Sequence, residues 1–235
     1  MKRIIVLLMF IFIISFGIST PAHFLYSLVD DQLQGAELTN IEGSIWQGEA
    51  DLSVGNMDTG KVTWRFSPMA LLTGGLGWNF TLINESVTGF AAAKVWSLST
   101  LSSLAISTNT QHLAQWNPLL NTISSDVSAQ LEQVSADQCR QTQGAMTLEN
   151  TSVMGLPFGI IDVQVTCEGE NYSASFRNQE SPIQLTGSAL LTPKGGYQFN
   201  AQLLSRDPAL RQQLSGLLGG SPEDQRFTVR ERGNL

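Results

Sequence analysis

The chain has 235 residues, 13 basic and 20 acidic, for a formal net charge of −7 at pH 7. Lys2 and Arg3 are the only charges before Asp30, so everything beyond them holds 11 basic against 20 acidic side chains. A surface of that sign repels phosphate and excludes nucleic-acid binding, which needs clustered Lys and Arg.

Behind Lys2 and Arg3 the chain is uncharged and mostly apolar to Val29, with Ile4 to Ile14 an unbroken run of Ile, Val, Leu, Met and Phe. A helix over residues 4–22 rises about 28 Å, close to the thickness of a bilayer's hydrocarbon core. This predicts a cytoplasmic start at 1–3, a transmembrane anchor at 4–22 with the apolar run extending to 29, and an exported, periplasmic portion at 30–235. The competing reading is a cleaved signal peptide, with Thr20-Pro21-Ala22 imitating a small-residue cleavage site. Pro21 is poorly placed for a peptidase, and Phe24, Leu25, Tyr26 and Leu28 extend the apolar stretch, so the uncleaved anchor is preferred. Both readings place the N-terminus in the cytoplasm and export the rest.

From Gly35 onward, short alternating segments are broken by Gly, Asn and Asp, the signature of antiparallel strands. Leu38–Ile41 leads into Ser44–Leu52; in Lys61–Phe66, Val62, Trp64 and Phe66 share one face. Ser67-Pro68 reads as a helix start, with one apolar turn over Met69–Leu72 ended by Gly74-Gly75. Leu76–Ile83 and Val87–Ser97 resume the strand pattern. The spacing of Leu101, Leu104, Leu113, Trp116, Leu119 and Leu120 predicts an irregular or helical segment over 98–122, limited by Pro118 and separating two lobes at about 35–97 and 127–235. Six further strands are expected at Val127–Val134, Gly144–Glu149, Ile160–Cys167, Tyr172–Phe176, Ile183–Leu191 and Gly196–Leu204, several joined by short hairpin loops such as Gly155-Leu156-Pro157. A helix over Pro208–Leu218, capped by Asp207 and ended by Gly219-Gly220, precedes a closing strand at Arg226–Arg230. The fold class is therefore all-β and mainly antiparallel, a curved or sandwich-like meander sheet with few short helices behind one N-terminal transmembrane helix.

Cys139 and Cys167 both fall in the exported portion, where an oxidising compartment lets them form a disulfide; buried free thiols are the alternative. The chemistry of catalysis is missing. His23 and His112 are the only histidines, there is no nucleophile elbow or phosphate loop, and the carboxylate pairs Asp30-Asp31 and Glu223-Asp224 read as solvated turns. No metal site is expected from His23, His112, Cys139 and Cys167, and no catalytic residue or cofactor is predicted. Trp46, Trp64, Trp78 and Trp96 suit a ligand-stacking strip or, more simply, strand core positions.

Gly43-Ser-Ile-Trp46-Gln-Gly48 and Trp64-Arg-Phe-Ser-Pro68-Met-Ala-Leu71-Leu72-Thr-Gly74 resemble the two tryptophan motifs of the type II secretion system protein N family. Cys139, Gly144, Cys167-Glu-Gly169, Leu185-Thr-Gly187, Gly196-Tyr197, Asp207-Pro208 and Gly233-Asn-Leu235 extend the resemblance over nearly the whole chain. It implies a bitopic inner-membrane protein of a Gram-negative bacterium with a large periplasmic β-domain, a non-enzymatic accessory of the machine that exports folded proteins. Its partners would be other inner-membrane or periplasmic subunits of that machine, with no small-molecule substrate. Gly43, Trp46, Gly48, Trp64, Pro68, Leu71, Leu72 and Gly74 are then structural motif residues. The alternative from the residues themselves is a periplasmic β-module that binds lipid or another hydrophobic ligand.

Overall fold

The computed structural model describes residues 20–23, 26, 36–54, 57–72, 76–84, 87–94, 100–114, 118–135, 139, 141–179 and 181–234. The anchor expected at 4–22 lies outside these residues except for Thr20, Pro21 and Ala22. Among the described residues no helix is long and apolar enough to cross a membrane. The chain divides into two compact units, Met1–Trp96 and Ser97–Leu235.

The first unit is an antiparallel meander of β1 (Ala36–Gly43), β2 (Gln47–Val54), β3 (Met57–Ser67), β4 (Gly77–Ile83) and β5 (Val87–Lys94), each strand paired with the next. Strict alternation sorts its side chains. Val62, Trp64 and Phe66 stand opposite Leu82, Phe80 and Trp78, and these stand opposite Gly89, Ala91 and Ala93, giving one apolar face. Lys61, Thr63 and Arg65 project from the other. A single helical turn, α1 (Met69–Leu72), links β3 to β4; it buries Ala70 and leaves Met69 and Leu72 69% and 79% exposed.

The second unit contains β6 (Thr100–Asn109), α2 (Thr110–Leu113), a 3-10 turn (Pro118–Thr122), β7 (Ile123–Ser135), β8 (Gln143–Val153), β9 (Leu156–Glu168), β10 (Asn171–Gln179), β11 (Ile183–Leu191), β12 (Gly196–Ser205), α3 (Pro208–Leu218) and β13 (Arg226–Asn234). These eight strands again pair antiparallel in chain order. The helical or irregular reading of 98–122 is corrected over its first half. Thr100–Asn109 is a strand because Leu104, Ile106 and Thr108 register with Leu131, Ala129 and Val127 of β7, a pairing that local spacing does not reveal. The helical turns begin only at Thr110, where the Asn109 side chain accepts from the Gln111 N–H at 2.9 Å. The hairpin placed at Gly155-Leu156-Pro157 also shifts by one residue. The turn is Met154-Gly155, with φ of 51° and 80°, a pair of left-handed residues that suits a tight hairpin, so Leu156 and Pro157 belong to β9.

The core of the second unit lies where α3 covers the sheet. Asp207 caps α3 by accepting from the Ala209 and Leu210 N–H groups at 2.8 and 3.4 Å, and Pro208 occupies the first turn. Leu214 is thereby driven into a cluster with Leu156, Phe158, Ile161, Ile183, Leu203 and Phe227. Ile183 and Leu214 are 0% and 1% exposed, and burying each such side chain stabilises by about 1.5–3 kcal/mol.

Candidate functional site

The motif residues of the first unit converge on the β1–β2 turn. Gly43 ends β1 with φ of 91°, and the Ser44 N–H donates to the Gln47 carbonyl at 2.9 Å, closing the turn. Two indoles reach this turn from the apolar face. Trp64 Nε1 donates to the Ser44 carbonyl and Trp78 Nε1 to the Ile45 carbonyl, each at 2.8 Å. The Trp46 ring stacks on Trp78 with centroids 6.3 Å apart and meets Phe66 edge-on at 4.9 Å. The Phe66 N–H donates to the Trp46 carbonyl at 2.6 Å, so the turn is tied by backbone as well as by side chains.

Gly48 is part of the same clasp. It registers with Trp64, and a Cβ there would overlap the indole ring and the Glu42 carbonyl. The second unit repeats the device, with Phe176 lying across Gly187 and Tyr197 across Gly233 on the neighbouring strand. The chain also returns to this turn from its N-terminal side: Pro21 bridges Ser44, and the Ile45 N–H donates to the Thr20 carbonyl at 3.2 Å. The remaining motif residues behave differently. Pro68 is exposed before α1, Leu71 and Leu72 are in α1 with Leu72 exposed, and Gly74 lies outside the described residues, as does Trp96. The clasp brings Trp46, Trp64 and Trp78 together. Trp78 was not among the motif residues, though its alternation with Phe80 and Leu82 placed it on the right face.

In the second unit Cys139 and Cys167 form a disulfide, Cα–Cα 5.4 Å, tying the β7–β8 connection to the end of β9. The Cys139 N–H donates to the Glu170 carbonyl at 3.0 Å. At the opposite end of β7–β9 the hydroxyls are committed to structure. Thr110 Oγ1 donates to the Ile123 carbonyl and accepts from the Ser125 N–H, and Ser125 Oγ bonds the Glu149 carbonyl and Thr151 Oγ1 at 3.0 Å each. These bonds hold the bulge where β7 and β8 change register. Among the described residues no group of His, Cys, Asp and Glu is placed to hold a metal ion.

Among the described residues the titratable groups with shifted equilibria, Lys61, Asp126 and Tyr197, are solvent-facing. Hydrogen bonds from Asn109 and Asn150 hold the Asp126 carboxyl below its ordinary range. A hydrogen bond to Glu49, with its negative charge, raises Lys61, and a hydrogen bond to Glu231 raises Tyr197. The Lys61–Glu49 pair is 2.8 Å apart, an exposed cross-strand bridge of small energetic weight. A shallow cleft of about 700 Å³ on the polar side of the first unit is lined by Glu42, Gln47, Glu49, Thr63, Arg65 and Asn79, among others.

Comparison with known proteins decides the kinship. The family model for type II secretion system (T2SS), protein N, matches residues 34–230. The chain belongs to the type II secretion system protein N family. Curated proteins named type II secretion system protein N are 22% identical over 223 residues in Pectobacterium carotovorum, 23% over 219 residues in Vibrio cholerae and 25% over 234 residues in Klebsiella pneumoniae. The matches cover 86%, 86% and 92% of this chain and 85%, 86% and 89% of the relatives. No solved structure matches. Membership makes the chain a component of the secretion machinery and implies contact with other type II secretion subunits. The residues matched by the family model take in the clasp, the disulfide and the α3 core together.

Proposed function

We propose that the protein is a non-enzymatic, inner-membrane-anchored scaffold of a type II secretion machine, with its N-terminus cytoplasmic and its β-domain periplasmic. There it supports export of folded periplasmic proteins across the outer membrane by holding other subunits. The observation that carries this reading is the family match over residues 34–230, taken together with the basic start and apolar run that precede it. The Cys139–Cys167 disulfide suits an oxidising compartment. The pairing of Thr20 and Pro21 with the β1–β2 turn suits an anchor at 4–22, because the clasp would then sit where the chain leaves the bilayer. The protein has no cofactor in this reading.

The test is complementation. In a secretion-competent bacterium lacking its own copy, the full chain should restore release of a folded reporter, and intact-mass measurement should find residues 1–235 uncut. Residues 23–235 delivered to the periplasm by a cleavable signal should restore little. Full restoration by the unanchored form, or a mature protein shortened after Ala22, overturns the anchored scaffold.

A second reading, a binding module for lipid or another hydrophobic ligand, draws support from the apolar face of the second unit. Val163, Val165, Phe176, Phe199, Leu131 and Leu104 are half-buried there, and Phe176 stacks on Phe199 at 5.3 Å. Extractable lipid in stoichiometric amount, with no co-purifying subunit, would favour it.

A further inference from the structure

β13 ends the run of paired strands, and among the described residues its one strand partner is β12. A terminal strand carries outward N–H and C=O groups at alternate residues, a template for a further strand. The first edge of the chain is treated differently. On β1 the Leu38 N–H donates to the Tyr26 hydroxyl at 3.3 Å, and Thr20 and Pro21 bond the turn that follows, so residues from the N-terminal side reach that edge at Leu38 and at its end. No described residue does this for β13.

The side chains of β13 add a second, independent feature. Registration places Arg226, Thr228, Arg230 and Arg232 on one face with Leu204, Gln202, Asn200 and Gln198 of β12. The same face continues through Gln184, Thr186, Ser188 and Leu190 of β11 to Ser173, Ser175 and Arg177 of β10. Four arginines share this polar face of β10–β13 with no carboxylate. Acids enter this face only on β9, with Asp162 opposite Arg177 and engaged by Gln179, and Glu168 opposite Asn171. Arg226, Arg230 and Arg232 are exposed and form no ion pair within 4 Å among the described residues, in a chain whose net charge is −7. A shallow cleft of about 440 Å³ runs beside Arg230 and Arg232, floored by Thr186, Ser188, Asn200 and Gln202.

We infer that β13 is a docking edge for an extended, acidic segment of another secretion subunit, which adds to the sheet as a further strand. This deepens the scaffold reading and rests on it. Main-chain bonds along β13 would supply affinity, and carboxylates at alternate positions of the guest would meet Arg230 and Arg232, whose side chains repeat about 6.6 Å apart along the strand. Arginines on an edge also serve to repel unwanted strands. The two roles part on sign: a repelling edge rejects all guests, and a docking edge selects acidic ones.

The experiment uses the full chain in uncharged detergent and two fluorescent peptides of about ten residues, one alternating Glu with Val and one alternating Lys with Val. Anisotropy should show the Glu peptide binding at least ~10-fold more tightly than the Lys peptide, with the preference shrinking at raised salt. Hydrogen exchange should slow in residues 226–234 on adding the Glu peptide and not in 36–43. The double variant R230E/R232E should reverse the preference, and that gain of Lys-peptide binding shows the variant is folded. Equal binding of the two peptides, protection outside β13, or an unchanged preference in the variant overturns the inference. So does arginine-dependent binding to phosphatidylglycerol vesicles in the absence of peptide binding, which would assign the row to a membrane surface. Any of these can occur with secretion intact in the complementation assay, so the docking edge can fail while the scaffold role stands.

Discussion

The two units solve the same problem, an antiparallel meander with one apolar face, by different means. In the second unit large side chains disappear from solvent: Leu214 of α3 packs with Ile183, Leu203, Phe158 and Phe227, and a disulfide ties the β7–β8 connection to the end of β9. In the first unit the buried apolar residues among those described are alanines, Ala22, Ala50, Ala70 and Ala93, while its tryptophans stay half-buried. Those tryptophans contribute through direction. Two indole N–H groups and a stacked pair hold one turn closed, so the first unit is shaped around its β1–β2 turn and the second around a core. Stability should therefore reside mainly in the second unit, and local shape at the N-terminal side should depend on few bonds.

That contrast can be broken most forcefully in the core. Leu214→Ala should cost about 3 kcal/mol and shift the urea transition of the second unit, because α3 has no other fully buried anchor; a loss under half of that would mean the helix is dispensable. Close behind comes the disulfide. Replacing both Cys139 and Cys167 with Ser should cost about 3 kcal/mol through the unfolded chain, read by the same titration with and without reductant. The first unit's own transition should stay unmoved in either case, read by Trp fluorescence in a Trp116→Phe background, since Trp46, Trp64 and Trp78 belong to the first unit and Trp116 to the second.

Paired substitutions sharpen the comparison where the units share a device. Gly48→Ala and Gly187→Ala each push a Cβ into an aromatic ring, Trp64 in one unit and Phe176 in the other, and each should cost about 1–3 kcal/mol. In the same Trp116→Phe background the Gly48 change should also alter Trp fluorescence, while the Gly187 change should not. Trp64→Phe keeps a ring and removes one hydrogen bond, so about 1 kcal/mol should be lost from the first unit only. Leu72→Ser should move the melt by less than ~0.5 kcal/mol, because Leu72 is exposed; a fall in secretion with an unchanged melt would give that motif residue a surface role.

The smallest effect is set by pH. Asp126 has a folded pKa below its unfolded value, so its contribution is present above the unfolded pKa and is lost as pH falls through the folded one. Stability measured from neutral to acid pH should fall less steeply in Asp126→Asn than in the native chain. Identical slopes would show that the bonds from Asn109 and Asn150 do not favour the ionised carboxyl.

Much of this was legible in the chain. Alternation of Val62, Trp64 and Phe66 against polar neighbours fixed their common face, because side chains on a strand point to opposite sides in turn. Asp207-Pro208 announced α3, since a capping carboxylate and a preset φ act within one turn. The Trp46 and Trp64 motifs pointed to the family without showing what the tryptophans touch. Three features needed the folded chain. Thr100–Asn109 is a strand only because β7 pairs with it; its own spacing of leucines reads equally well as helical. Met154 adopts a left-handed turn that its side chain does not announce. The row of Arg226, Arg230 and Arg232 is an ordinary alternating strand in sequence, and it becomes an unopposed basic face only when β10, β11 and β12 supply neighbours without carboxylates. Local alternation and capping are properties of a few consecutive residues. The clasp, the core beneath α3 and the sign of an edge each depend on residues far apart in the chain, and their register is decided by tertiary pairing.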